Sequence, residues 1–148
     1  VSKLPLLFLA TAAACLLAGV GLGIHMGIAH DFALAPVHAH LNLLGWTSLA
    51  LIGLTLRAYP ELLRNRAASW AQYGVSAGSA VAFPAGIHLA ITQDAPGPAI
   101  AASLVWFAGV LLFLARLVLL AFAREAAPPL SARHDLPAGP VPATGARG

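Results

Sequence analysis

The sequence predicts an all-α integral membrane protein, a bundle of four transmembrane helices with both termini on the cytoplasmic side. Three observations carry this. Of 148 residues, 59% are hydrophobic and only 9% charged, whereas the helices of soluble domains need a polar face. The apolar excess is gathered into four runs, each near the roughly 20 residues that cross a hydrocarbon core of roughly 30 Å. The basic residues lie at the ends of those runs, as topology signals do: Lys3, then Arg57, Arg64 and Arg66, then Arg116, Arg124 and Arg133.

The first span is expected over positions 4–29, ending at His30-Asp31 with Pro36 closing a short loop. Its apolar stretch is far longer than the core of a secretory signal, so it reads as a retained span. The second covers about 37–59 and is stopped by Tyr59-Pro60. A polar, basic connector over 61–69 leads to the third, about 70–91. Thr92 to Pro98 then reads as a tight turn, because proline and glycine punctuate helices. The fourth span covers about 99–123. Positions 1–124 thus make one membrane domain. The Pro/Gly/Ala-rich tail, 125–148, has too little apolar surface to fold alone and is expected to be disordered.

Nearly all Lys and Arg fall at the N-terminus, in the connector and in the tail, while the loops at 30–36 and 92–98 carry only Asp31 and Asp94. The basic side is expected to be cytoplasmic, in a bacterial inner membrane, with the short loops facing the periplasm. Basic residues scattered over span ends make no nucleic-acid patch. No glycine-rich phosphate loop, nucleophile elbow or zincin sequence is present, and the single cysteine, Cys15, reads as packing. Arg116, two turns before Arg124, is expected to snorkel to the cytoplasmic headgroups, with pairing inside the bundle as the alternative.

Five of the six histidines lie at the outer ends of the first three spans: His25, His30, His38, His40 and His88. Because the helices alternate in direction, His25, His40 and His88 are expected at a similar depth. A histidine inside a span is costly and marks a functional site, and neutral imidazole ligates iron, copper and zinc. His38 and His40 diverge by about 200° around a helix. The deeper His40 is therefore preferred as a ligand, with His38 left to bind a haem propionate or a second metal. Gly19, Gly23 and Gly27, and Gly74 with Gly78, read either as close helix packing or as room for a porphyrin edge. Pro84, four residues before His88, is expected to kink the third helix and turn His88 inward. Asn42, Thr47 and Ser48 are candidate supporting hydrogen-bond partners, and Met26 points away from His25 and reads as packing.

The stretch His38-Ala39-His40-Leu41-Asn42-Leu43-Leu44-Gly45-Trp46 resembles the outer end of the second helix of haem–copper oxidase subunit I. It resembles more closely the small bacterial membrane proteins described as subunit-I-like and related proteins of nitric oxide metabolism. The likeness covers roughly positions 37–57. It implies haem b with His40 as axial ligand and His88 opposite, and His25 as competitor or copper ligand. It also implies a homo-oligomer, a trimer by analogy with the three arcs of the oxidase subunit, with a redox partner at the outer face. The oxidase pattern of paired histidines on a later helix is missing, as are its tyrosine and an acidic proton relay. Complete oxygen reduction is therefore not expected. Three readings remain open on the residues alone: a haem protein for electron transfer or diatomic gas binding, a copper or zinc protein held by His25, His40 and His88, and a structural subunit without cofactor.

Overall fold

The computed structural model describes residues 3–126, which contain helices and turns and no strand. Four helices are long and apolar enough to cross a membrane, which makes the chain a multi-pass membrane protein. They are α1, Leu4–Ala29, α2, Ala35–Ala58, α3, Arg66–Gln93, and α4, Gly97–Glu125. The expected disorder of the tail concerns positions that, from 127 onward, lie outside the described residues.

Local chemistry sets each boundary. Pro5 sits in the first turn of α1, where its missing N–H is no loss. The helix ends at His30, in the left-handed region at φ 53°, with its N–H donating to the Met26 carbonyl. Pro36 opens α2, and the non-helical Tyr59 (φ -122°, ψ 75°) before Pro60 closes it. A short 3-10 turn, Pro60–Leu63, follows. Helix α3 starts earlier than the apolar run does, at Arg66, because the Asn65 side chain accepts from the Ala68 N–H at 3.0 Å. It ends on Asp94, again left-handed at φ 51°.

The helices do not close into a ring. Helices α1, α2 and α3 pack on one another, whereas α4 lies along α3 and meets the Pro60–Leu63 turn without a close backbone approach to α1 or α2. The apolar core lies toward the connector end, where Leu4, Phe8 and Ala12 meet Leu49, Ile52, Leu56 and Leu62. There the Phe8 ring packs edge-on to Tyr73 at 5.0 Å, and the Thr11 and Tyr73 hydroxyls are 2.9 Å apart. Lipid tails are as apolar as leucine, so helix association rests on such close packing and on interhelical hydrogen bonds.

The interface of α3 with α4 is polar. Ser69, Gln72, Ser76 and Ser79 are all buried on one face of α3. The Gln72 amide donates to Ser76 Oγ at 2.8 Å and to the Gly109 carbonyl at 2.9 Å. Arg116 joins this seam instead of snorkelling. Its guanidinium is buried and donates to the Leu62 carbonyl and, at 3.0 Å, to Ser69 Oγ. Two acceptors lie directly across from it, and these hold it within the fold. Gln72→Leu keeps the volume and removes both donated bonds, so it is expected to lower stability by about 1 kcal/mol, measured by reversible denaturation in mixed micelles.

Candidate functional site

Helix α2 is not a uniform α-helix. Its Ala35–His40 segment is α-helical, Leu41–Ser48 is π-helical, and α geometry resumes over Leu49–Ala58. The wider turns suit the side chains they carry: Thr47 Oγ1 donates to the Asn42 carbonyl at 3.1 Å and Ser48 Oγ to the Leu43 carbonyl at 2.9 Å, each five residues back. Insertions of this kind are frequent at functional sites, and this one starts directly after His40. Thr47 and Ser48, candidate partners of a ligand, make these hydrogen bonds within α2, and the Asn42 amide lies against the ring of His38.

His38 is built into the contact of α1 with α2. Its Nδ1 lies 2.7 Å from the Gly19 carbonyl, which makes that nitrogen the N–H donor. Its Nε2 then accepts from the Asn42 amide at 3.4 Å, and that amide also donates to the His38 carbonyl at 2.9 Å. The ring fills the notch left by Gly23, where an added Cβ would lie 2.8 Å from Cε1. Asn42 fills the notch at Gly19 in the same way, at 2.7 Å. Farther along, Cys15 sits against Gly45. Close packing therefore accounts for Gly19 and Gly23, and both ring nitrogens of His38 are engaged inside the chain.

His40 is arranged differently. Its Nδ1 lies 2.8 Å from the Pro36 carbonyl one turn back. A carbonyl only accepts, so the proton sits on Nδ1, and the Nε2 lone pair has no partner among the described residues. The half-exposed ring meets Phe83 of α3 at 4.9 Å with an interplanar angle of 63°. An imidazole anchored through one nitrogen to a backbone carbonyl, with the other unprotonated, has the arrangement of a metal-ligating histidine.

His25, His30 and His88 are exposed, and none of their rings has a hydrogen-bond partner among the described residues. Pro84 is buried within an uninterrupted α3, but it does not turn His88 inward. His88 lies about 140° around the helix from Phe83, at 100° per residue, on the exposed face shared with Gly74 and Gly78. Those two glycines and Gly27 have open space where a Cβ would be, so none of them packs against another helix among the described residues. No group of three His, Cys, Asp or Glu side chains able to hold a metal ion is assembled among the described residues. His25, His40 and His88 share one end of the molecule and are not gathered into one coordination sphere.

Two signals missed at the sequence level stand out. The 3-4-3 spacing of Ser69, Gln72, Ser76 and Ser79 marks one helix face and pointed to a polar seam. The π-helix left no such periodic trace. At the opposite end of the molecule, Glu61 accepts from Arg124 at 2.6 Å, and this hydrogen bond holds the Glu61 carboxyl below its ordinary value. No family model, no curated protein and no solved structure matches this chain.

Proposed function

We propose that this is a b-type haem-binding membrane protein, related to haem–copper oxidase subunit I, with His40 as its axial ligand near the outer membrane face. The observation that carries the reading is the His40 imidazole, held by Pro36 through Nδ1 with Nε2 free. Haem fits this donor set better than copper or zinc does. A single imidazole holds haem iron on one side, whereas zinc and copper sites take three or four protein donors. Placement of the site at the periplasmic face of a bacterial inner membrane rests on the basic connector lying at the other end of the helices.

Bound there, haem would supply a redox-active iron able to take up a diatomic gas such as nitric oxide or oxygen. The chain's own residues hold the ligand. Pro36 fixes the tautomer and His38 ties α2 to α1. Phe83 limits rotation of the His40 ring, and the π-helical segment sets where the Ala35–His40 turn lies relative to the rest of α2. Electron transfer through a six-coordinate iron is the second reading. It is favoured by the exposed, unpartnered His25 and His88, which a homo-oligomer, a trimer for example, would present to neighbouring copies.

The test is a visible spectrum of the detergent-purified protein from a haem-supplied host, before and after dithionite. The expected result is a Soret band and a reduced spectrum without sharp α and β bands, shifting when nitric oxide is added. Sharp reduced bands would establish bis-histidine ligation and the electron-transfer reading. Folded protein without visible bands would overturn haem binding.

A further inference from the structure

A cleft of about 480 Å³ lies at the connector end, between α2 and α4. It exists because α2 stops at Tyr59-Pro60 while α4 leans on α3 and the connector, leaving a gap where those two helices would otherwise meet. Thr55, Leu117, Leu120 and Ala121 form its inner walls, and Tyr59 and Arg124 stand at its mouth. At 1.5 Å per residue, Leu117 lies about 10 Å deeper than Arg124. The cleft is therefore apolar below and cationic above.

Its depth in the bilayer follows from the aromatic residues at this end. Tyr59 and Trp70 are 40% and 52% exposed, and amphipathic rings of this kind lie at the headgroup level. Arg124 is thus placed among headgroups, with the apolar walls beside acyl chains. Its guanidinium packs over the Tyr59 ring at 4.9 Å and donates once, to Glu61. Of five N–H donors on a guanidinium, the other four have no partner among the described residues, on a side chain that is 52% exposed. Arg57, Arg64 and Arg66 are exposed at the same end, against Glu61 and Glu125, so the surroundings favour an anion.

We propose that this cleft binds an anionic phospholipid of the adjoining leaflet, its phosphate on Arg124 and an acyl chain between α2 and α4. Shape and charge select this occupant together. A zwitterionic lipid would satisfy the apolar walls, but its ammonium group would offset its phosphate and be repelled by the surrounding arginines, and free phosphate would use the charge and leave the walls bare. Glu61 competes with the lipid for Arg124, and its carboxylate is the only acidic group touching that guanidinium among the described residues.

The experiment uses the full chain in detergent. Native mass spectrometry and thermal unfolding compare phosphatidylglycerol, phosphatidylcholine of the same acyl chains, and inorganic phosphate. Phosphatidylglycerol is expected to bind about fivefold more tightly than phosphatidylcholine, one headgroup–arginine contact, and to raise Tm, while phosphate alone does neither. Arg124→Gln should equalise the two lipids. Ala121→Trp, which fills the cleft and spares the ion pair, should remove the bound lipid. Glu61→Gln removes the negative charge that competes for Arg124 and should tighten phosphatidylglycerol binding, where a merely structural ion pair would give only destabilisation. Equal binding of both lipids to the unmodified chain would overturn the proposal. So would a phosphatidylglycerol preference that survives both Arg124→Gln and Ala121→Trp, stabilisation by phosphate alone, or a change in oligomer mass with Ala121→Trp and no lipid adduct in either form.

Discussion

His40→Ala is expected to abolish the Soret band of the purified protein while leaving its helical circular dichroism and melting behaviour close to those of the parent. The ring is half-exposed, and its one hydrogen bond goes to the exposed Pro36 carbonyl. Its loss is therefore expected to cost less than about 1 kcal/mol. Haem, by contrast, would lose its iron–nitrogen bond to the chain. His38→Ala should behave in the opposite way. It vacates the notch between α1 and α2, removes the side-chain donor to the Gly19 carbonyl and removes a partner of Asn42. A loss of about 2 kcal/mol is expected, with haem retained by whatever protein remains folded. His40→Gly with added imidazole sharpens the comparison, since a free ligand can restore the absorption where a missing structural contact cannot. If His38→Ala loses haem at unchanged stability and His40→Ala keeps it, the ligand has been assigned to the wrong histidine.

Much of the fold was legible in the residues, for physical reasons that apply unequally to the site. Four apolar runs of membrane length can only be helices, because backbone groups in hydrocarbon must pair within their own segment. Proline and charge then fix their ends to within a few residues, and Asn65 moved one of them by capping α3. Arg116 was misplaced because a long side chain near a membrane surface has two outcomes. The choice depended on Leu62 and Ser69 lying opposite it, which is tertiary information. The histidines show the same divide. Their common level follows from helix direction and length, but the direction each ring faces follows from helix rotation. Rotation put His38 into the Gly23 notch, His40 against Phe83 and His88 on the outside. The π-helical segment makes this harder to read, because it breaks the 100° periodicity by which faces are projected from sequence.

The glycines supply the second large expected effect, and they divide sharply by position. Gly86 of α3 is packed on the first turn of α4, where an added Cβ would lie 2.5 Å from the Ala99 nitrogen, 2.7 Å from its Cα and 2.8 Å from the Pro98 carbonyl carbon. All three are backbone atoms in the first turn of α4, so no side-chain rotation relieves the clash. Gly86→Ala must push the two helices apart at the end of their contact away from the connector and disturb the seam beyond it from Ser79. Alanine is the better helix former by about 1 kcal/mol, and overpacking against backbone exceeds that gain. The net loss is expected to be about 3 kcal/mol, visible as a large drop in Tm and in the yield of folded protein in detergent. Gly74→Ala and Gly78→Ala are the matched controls on the same helix. Open space surrounds both, so each is expected to be neutral or stabilising by up to about 1 kcal/mol. A Gly86→Ala protein as stable as these controls would mean that α4 does not rest on α3 at this contact, and the arrangement of the fourth helix would have to be redrawn.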